Sequence, residues 1–218
     1  MTASPRAARR STEEVRRLIL RAAGELFEER GYAQTSMRDI AAAAGISLSV
    51  LYRQFAGKEE LFSATLLAPF LTSFEEFAAA WSAQIDNPWD DERLVREFVR
   101  DLYTKLSQHR HSLTILLAVG EDSGSDLLAQ TRNGLANGLQ ELRLMAEHEA
   151  DRRHWFSRDT VRHSNSLIVS MIAGAVLLQP LLADLRADDD AIIDAATQLA
   201  LHGMRLAPPD FSAPNGRK

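Results

Sequence analysis

The sequence predicts an all-α protein, and three observations carry that expectation. Apolar residues recur at intervals of three and four along most of the chain. Residues that start and stop helices punctuate those stretches. No segment alternates with period two for long enough to make a convincing strand. About nine helices are expected, three short ones first, then a long connecting helix and five more.

The first helix opens at Ser11-Thr-Glu-Glu14, the spacing at which a serine hydroxyl and a glutamate carboxylate satisfy the orphan N–H groups of a helix start. Val15, Leu18, Ile19, Ala22, Ala23, Leu26 and Phe27 then form one apolar stripe, which stops at Gly31, a natural left-handed terminator. From Thr35 the pattern restarts with Ile40, Ala41 and Ala44, breaks at Gly45, and resumes with Leu51 and Phe55 before Ala56-Gly57. After Lys58 a long amphipathic helix runs through Leu61, Phe62, Leu66, Phe70, Phe74, Phe77 and Trp81 towards Asp86-Asn-Pro88. Further helices are expected at about 91–108, 111–120, 125–150, 157–182 and 189–205, separated by breaker clusters at 120–124 and 183–188. The organisation expected is a basic arm at 1–10, a domain of three short helices at 11–57, a larger helical domain at 58–207, and a breaker-rich, disordered tail at 208–218.

With 45% hydrophobic residues in 218, the chain can build a substantial core. It has no cysteine, which removes disulfides, thiolate nucleophiles and cysteine-rich zinc sites and fits a cytoplasmic setting. The basic start leads into a charged amphipathic segment and not into the apolar run of an export signal. Leu167–Leu182 is apolar but contains Ser170, Gln179 and Pro180, and is shorter than the roughly 20 residues that span a bilayer. No membrane partner is therefore expected. The net charge of −5 hides an asymmetry: residues 1–66 carry 10 Lys and Arg against 8 Asp and Glu, and the rest carries 15 against 22. Arg9 and Arg10 precede the first helix, where they can serve as a DNA-contacting arm or as a solvated tail.

The informative window is Thr35 to Lys58. It reads as two helices of about two turns joined by a tight turn at Ala44-Gly45-Ile46, with Ser47 placed to cap the second. That is helix-turn-helix geometry. Ile40, Ala41, Ile46, Leu51 and Phe55 would lock the pair onto the Leu26/Phe27 stripe, with small side chains at 41 and 44 for close crossing. Leu48, Ser49, Val50, Tyr52, Arg53 and Gln54 would face outward, as on a helix that enters the major groove of duplex DNA.

In this window the chain resembles the DNA-binding domain of the tetracycline-repressor (TetR) family. The resemblance rests on Thr35-Ser36, Ile40-Ala41, Ala44-Gly45-Ile46-Ser47, Leu51-Tyr52-Arg53-Gln54-Phe55 and Lys58-Glu59-Glu60-Leu61, and covers about residues 12–65. It implies a nine-helix fold, a homodimer formed through the last two helices, and release from a palindromic operator when a small ligand binds the larger domain. It further implies that Thr35, Ser36, Tyr52, Gln54 and Lys58 grip phosphates, and that Ser47 caps the recognition helix and touches the DNA backbone. Base reading would fall to Arg38, Leu48, Ser49, Val50 and Arg53. Three positions depart from the common pattern: Leu48 replaces a frequent polar residue or proline, Val50 a Thr, Ser or Ala, and Gln54 a His. Leu48 and Val50 suit thymine methyl groups; the alternative for Val50 is that it packs inward beside Ile46.

For the sensing domain, Phe70, Phe74, Phe77 and Tyr103 are candidate pocket residues, with His163 and Asn165 as polar anchors. An aromatic stripe at this spacing is also what ordinary core looks like. Ser166, Ser170 and Gly174 recur every fourth residue, a seam along which a partner helix can approach closely. Asp188-Asp189-Asp190 and His202/Arg205 complement the dipole of the last helix at its two ends. The competing classes are an all-helical enzyme and a purely architectural DNA-binding module. No histidine has a glutamate three residues before it, as a di-metal bundle requires, and no phosphate loop or nucleophile elbow is present. No metal or cofactor is expected.

Overall fold

The Ser11 hydroxyl accepts a hydrogen bond from the Glu14 N–H at 3.1 Å and starts α1 (Thr12–Gln34). The computed structural model describes residues 11–205 except 85, 87, 120–125, 155–157 and 183–187, with backbone alone for 118–119, 126–128, 158–162 and 203–205. The expected basic arm at 1–10, the tail at 208–218 and most of both breaker clusters lie outside the described residues.

Gly31 takes φ 77 within α1, so the left-handed residue read from sequence is there, but one further turn follows it. The extension has a physical reason. Thr35 reaches back and donates to the carbonyls of Leu26 (3.1 Å) and Gly31 (2.8 Å), which ties the last turn to the body of the helix across Gly31. Ser36 then caps α2 (Met37–Ala43) through a capping box with Asp39. α2 ends in a Schellman motif: Gly45 has φ 65, its N–H donates to Ala42, and the Ile46 N–H donates to Ala41 at 3.0 Å. Ser47 accepts from the Val50 N–H and starts α3 (Leu48–Gln54), as its position in the sequence requires.

The long helix expected after Lys58 is interrupted. It consists of α4 (Lys58–Phe62), a π turn (Ser63–Leu67) and α5 (Ala68–Ser82). Thr65 donates to the Leu61 carbonyl at 2.7 Å, and the Ala68 N–H reaches the Ser63 carbonyl five residues back. The wide turn lets Leu61, Phe62, Leu66 and Leu67 all bury their side chains, which a strict 3.6-residue period does less well. α6 (Asp91–Gln108), α7 (Arg110–Val119), α8 (Asp126–Arg153), α9 (Arg158–Leu178) and α10 (Asp189–Arg205) follow. Counting Lys58–Ser82 as one interrupted helix gives nine among the described residues, with no strand among them. α9 stops four residues short of its expected end because Pro180 has no N–H to continue the ladder. No described helix is long and apolar enough to cross a membrane.

The chain forms two compact units, one of residues 1–72 and 111–133, the other of 73–110 and 134–218. In the first, Ile19, Phe27, Ile40, Leu51, Phe55, Leu61, Phe62 and Ile115 form a continuous core. Phe62 meets the rings of Phe27 and Tyr32 edge-on, with centroids 5.5 and 5.2 Å away. α7 belongs to this unit, and His111 Nε2 lies 2.8 Å from the Glu28 carbonyl of α1.

In the second unit α6 packs against α9 and α10. Arg96 pairs with Asp194 at 2.7 Å, Arg100 with Asp190 at 3.5 Å, and Tyr103 donates to Asp189 at 2.7 Å. The aspartates that open α10 thus bind α6 in addition to complementing their own helix dipole. Burial, together with its proton's commitment to Asp189, pushes the Tyr103 hydroxyl up to about 12. Gly138 of α8 faces the Phe74 ring so closely that an added Cβ would lie 2.9 Å from Cδ1 and Cε1. Alanine at 138 would gain about 1 kcal/mol of helix propensity but overpack the ring at a cost of about 1–3 kcal/mol. Gly138→Ala is therefore expected to lower the denaturant midpoint; a raised midpoint would mean that Phe74 swings aside at no cost.

Candidate nucleic-acid interface

α3 offers the outward face that the window predicts. Ile40, Ala41, Ala44, Leu51 and Phe55 are buried in the first unit's core, and Ile46 packs against it, which fixes α2 and α3 on α1. Ser47, Ser49, Tyr52 and Arg53 are left exposed, Tyr52 by 52% despite its aromatic ring, and Arg38 is exposed on α2. These side chains combine hydroxyl donors with two guanidinium groups, which suits phosphate oxygens and the acceptor-rich edge of guanine.

Several of the expected contacts are placed differently. Thr35 is only 2% exposed and its single hydroxyl proton is spent on backbone carbonyls, so its side chain cannot donate to a phosphate, which accepts only. The Ser36 hydroxyl donates to Asp39, whose carboxyl that bond, together with the one from the Ser36 N–H, holds below the usual range. Leu48, expected on the outer face, is half-buried and packs against the core. Val50 and Gln54 are half-buried. Burial lowers the pKa of Lys58; its ammonium donates to the Tyr32 carbonyl at 2.9 Å and lies 4.2 Å from the Tyr32 ring centroid. Tyr32 was missed from sequence because nothing local links positions 26 residues apart. Glu60, which caps the Ala56 N–H at 2.6 Å, was missed for want of a recognised cap signal.

The expected sensor residues lie mostly in core. Phe70, Phe74, Phe77 and Tyr103 are buried, Phe70 in the first unit and the others in the second, where Phe77 packs on Phe98 with centroids 5.8 Å apart. Phe70 borders an apolar crevice with Phe62, Leu66, Leu67, Ser112 and Leu116, which has no interior room for a water molecule. On α9, Asn165 is buried whereas His163, Ser166 and Ser170 are exposed and Gly174 is half-buried. Asp86, His148 and Glu149 bring possible metal-ligand atoms within 4.8 Å of one another. Glu149, however, already accepts from Arg152, Arg153 and the Asp86 N–H, so its carboxylate serves an ion network.

A rigid three-helix head with an exposed, hydroxyl- and arginine-bearing third helix defines a helix-turn-helix DNA-binding protein. Residues 19–65 match the family model of bacterial regulatory proteins of the tetR family. Over this segment the chain is therefore similar to the DNA-binding part of tetR-family regulators. It is 44% identical over 70 residues to the HTH-type transcriptional repressor Rv3405c of Mycobacterium tuberculosis, a match covering 30% of this chain and 37% of the relative. It is 46% identical over 54 residues to the HTH-type transcriptional activator FasR of Mycolicibacterium smegmatis, covering 25% of each. The matches thus span little more than a third of the curated relatives' length. Its fold is that of the fatty acid degradation regulator FadR from Bacillus halodurans, with a TM-score of 0.65, 22% identity, and coverage of 94% of this chain and 99% of that one.

Proposed function

We propose that this chain is a ligand-responsive transcriptional repressor that binds a palindromic operator as a homodimer and leaves it when a small molecule binds the helical domain that follows the head in sequence. The observation that supports this most is α3, held by a buried core and exposing Ser49, Tyr52 and Arg53 at the place where a groove would receive them. In this reading Arg38 and Arg53 read bases with Ser49 and Val50, while Tyr52, Gln54, Ser47 and Lys58 position the backbone. Leu48 contributes less to base reading than a fully outward residue would. Selection of bound fragments from random duplex DNA, with and without candidate ligands, tests the proposal: it should return a two-fold symmetric site whose retention a ligand reduces. Recovery of no enriched sequence would overturn it.

The dimer has its own support. Leu167 is 68% exposed on α9, beside Ser166 and Ser170, and Leu178 on α9 and Leu199 on α10 are exposed too. Exposed leucines next to small residues suit an isologous helix-pair contact. Leu167→Glu is expected to yield a monomer in sedimentation and to weaken operator binding roughly 10²-fold or more, since the second head no longer binds intramolecularly. A dimeric variant with unchanged affinity would place the interface elsewhere.

A further inference from the structure

Arg16 of α1 lies with its guanidinium carbon 4.5 Å from the centroid of the Phe55 ring. Phe55 is the residue that ends α3, and it is buried, so the arginine covers the end of the recognition helix from the neighbouring helix. Among the described residues no carboxylate pairs with Arg16 and nothing accepts a hydrogen bond from it. Further along α1, Arg21 leans on Glu25 at 4.0 Å and Arg30 on Glu29 at 3.6 Å. A guanidinium held over an aromatic ring is fixed in place while the N–H groups on its rim remain available to an anion.

The dimensions of the duplex say which anion. A helix with its side chains is about 10–12 Å across, and the major groove is about 12 Å wide. A helix in that groove therefore fills it, and a cation beside one end of the helix is left to meet the phosphates that wall the groove. We propose that Arg16 is a phosphate clamp of the DNA interface, which extends the contact surface from α3 onto α1. The inference rests on the reading that α3 enters the groove. Arg16 would add affinity and fix the angle of α3 without reading sequence, because a phosphate carries no base identity.

The test compares wild type, Arg16→Gln and Arg16→Met on a short duplex of arbitrary sequence, titrated between about 50 and 200 mM salt. Loss of one phosphate contact is expected to make the slope of log affinity against log salt shallower by about 0.9, so that wild type loses about three times more affinity over that range than either variant. The ratio of affinities for two unrelated duplexes should stay unchanged. A wild-type slope in a folded Arg16→Gln protein would overturn the proposal. Should the Gln variant lose its helical circular dichroism, the Met variant, which keeps an apolar cover on Phe55, decides the question. Wild type that ignores duplex DNA altogether would instead sink the proposed function on which this inference rests.

Discussion

Phe27→Ala is expected to lower the melting temperature sharply and to weaken DNA binding with it, without removing one atom from the proposed DNA-facing surface. Phe27 is fully buried, stacks on Tyr32 with centroids 5.9 Å apart and meets Phe62 edge-on. Its truncation removes transfer free energy and leaves a cavity, together costing about 3–5 kcal/mol, a large part of the roughly 5–15 kcal/mol that holds a typical domain folded. The same cluster carries Leu51 and Phe55, so the loss falls on the support of α3. Thermal unfolding followed by circular dichroism, with a gel shift at the same temperature, measures both effects. A variant that melts and binds like wild type would show that the head does not depend on this ring.

The second large effect is expected at Glu149→Ala in the other unit. Glu149 is 3% exposed, accepts from Arg152, from Arg153 at 2.7 Å and from the Asp86 N–H at 3.0 Å, while Arg153 also reaches Asp91 at 2.8 Å. Removing the carboxylate leaves a nearly buried guanidinium short of its partner, a defect of about 3–5 kcal/mol. Burial pushes the Glu149 pKa up, but the bonds from Arg152, Arg153 and the Asp86 N–H outweigh it and hold the group below its ordinary value. A depressed carboxyl stabilises the fold above the unfolded pKa, near about 4.3 for glutamate, and that contribution disappears as pH falls through the folded value. The gap in melting temperature between wild type and variant should therefore be full at neutral pH and narrow below about pH 4. A gap independent of pH would assign the loss to packing alone.

Much of the head was legible because its signals are local. Ser11, Ser47 and Gly45 act within a few residues of themselves, and their caps and turn are found where the sequence puts them. In the other unit the starts of α6 and α10 follow from Asp90 as a cap with Asp91 after it and from Asp189-Asp190 in the first turn. What the sequence hid depends on partners far along the chain. Thr35 looks like any exposed threonine until the α1 carbonyls it satisfies are seen. The π turn at Ser63–Leu67 arises from how many apolar groups the core can accept, which periodicity in one helix does not report. Ile115 and Leu116 read as ordinary helical apolar residues, with no sign that they join the core of the head unit. Nothing local in the sequence singles out Arg16, because the Phe55 ring beneath it lies far along the chain.

The Lys58 side chain draws these threads together at the level of entropy. Bound to the Tyr32 carbonyl and resting on the Tyr32 ring, it keeps two N–H groups in reserve while its ammonium is already held by two contacts. Ordering a rotamer-rich side chain during association costs about 0.5–1.5 kcal/mol. Here that loss is incurred when the head folds, so in the proposed function a nucleic-acid strand arriving beside α4 would meet a charge already pointed and waiting.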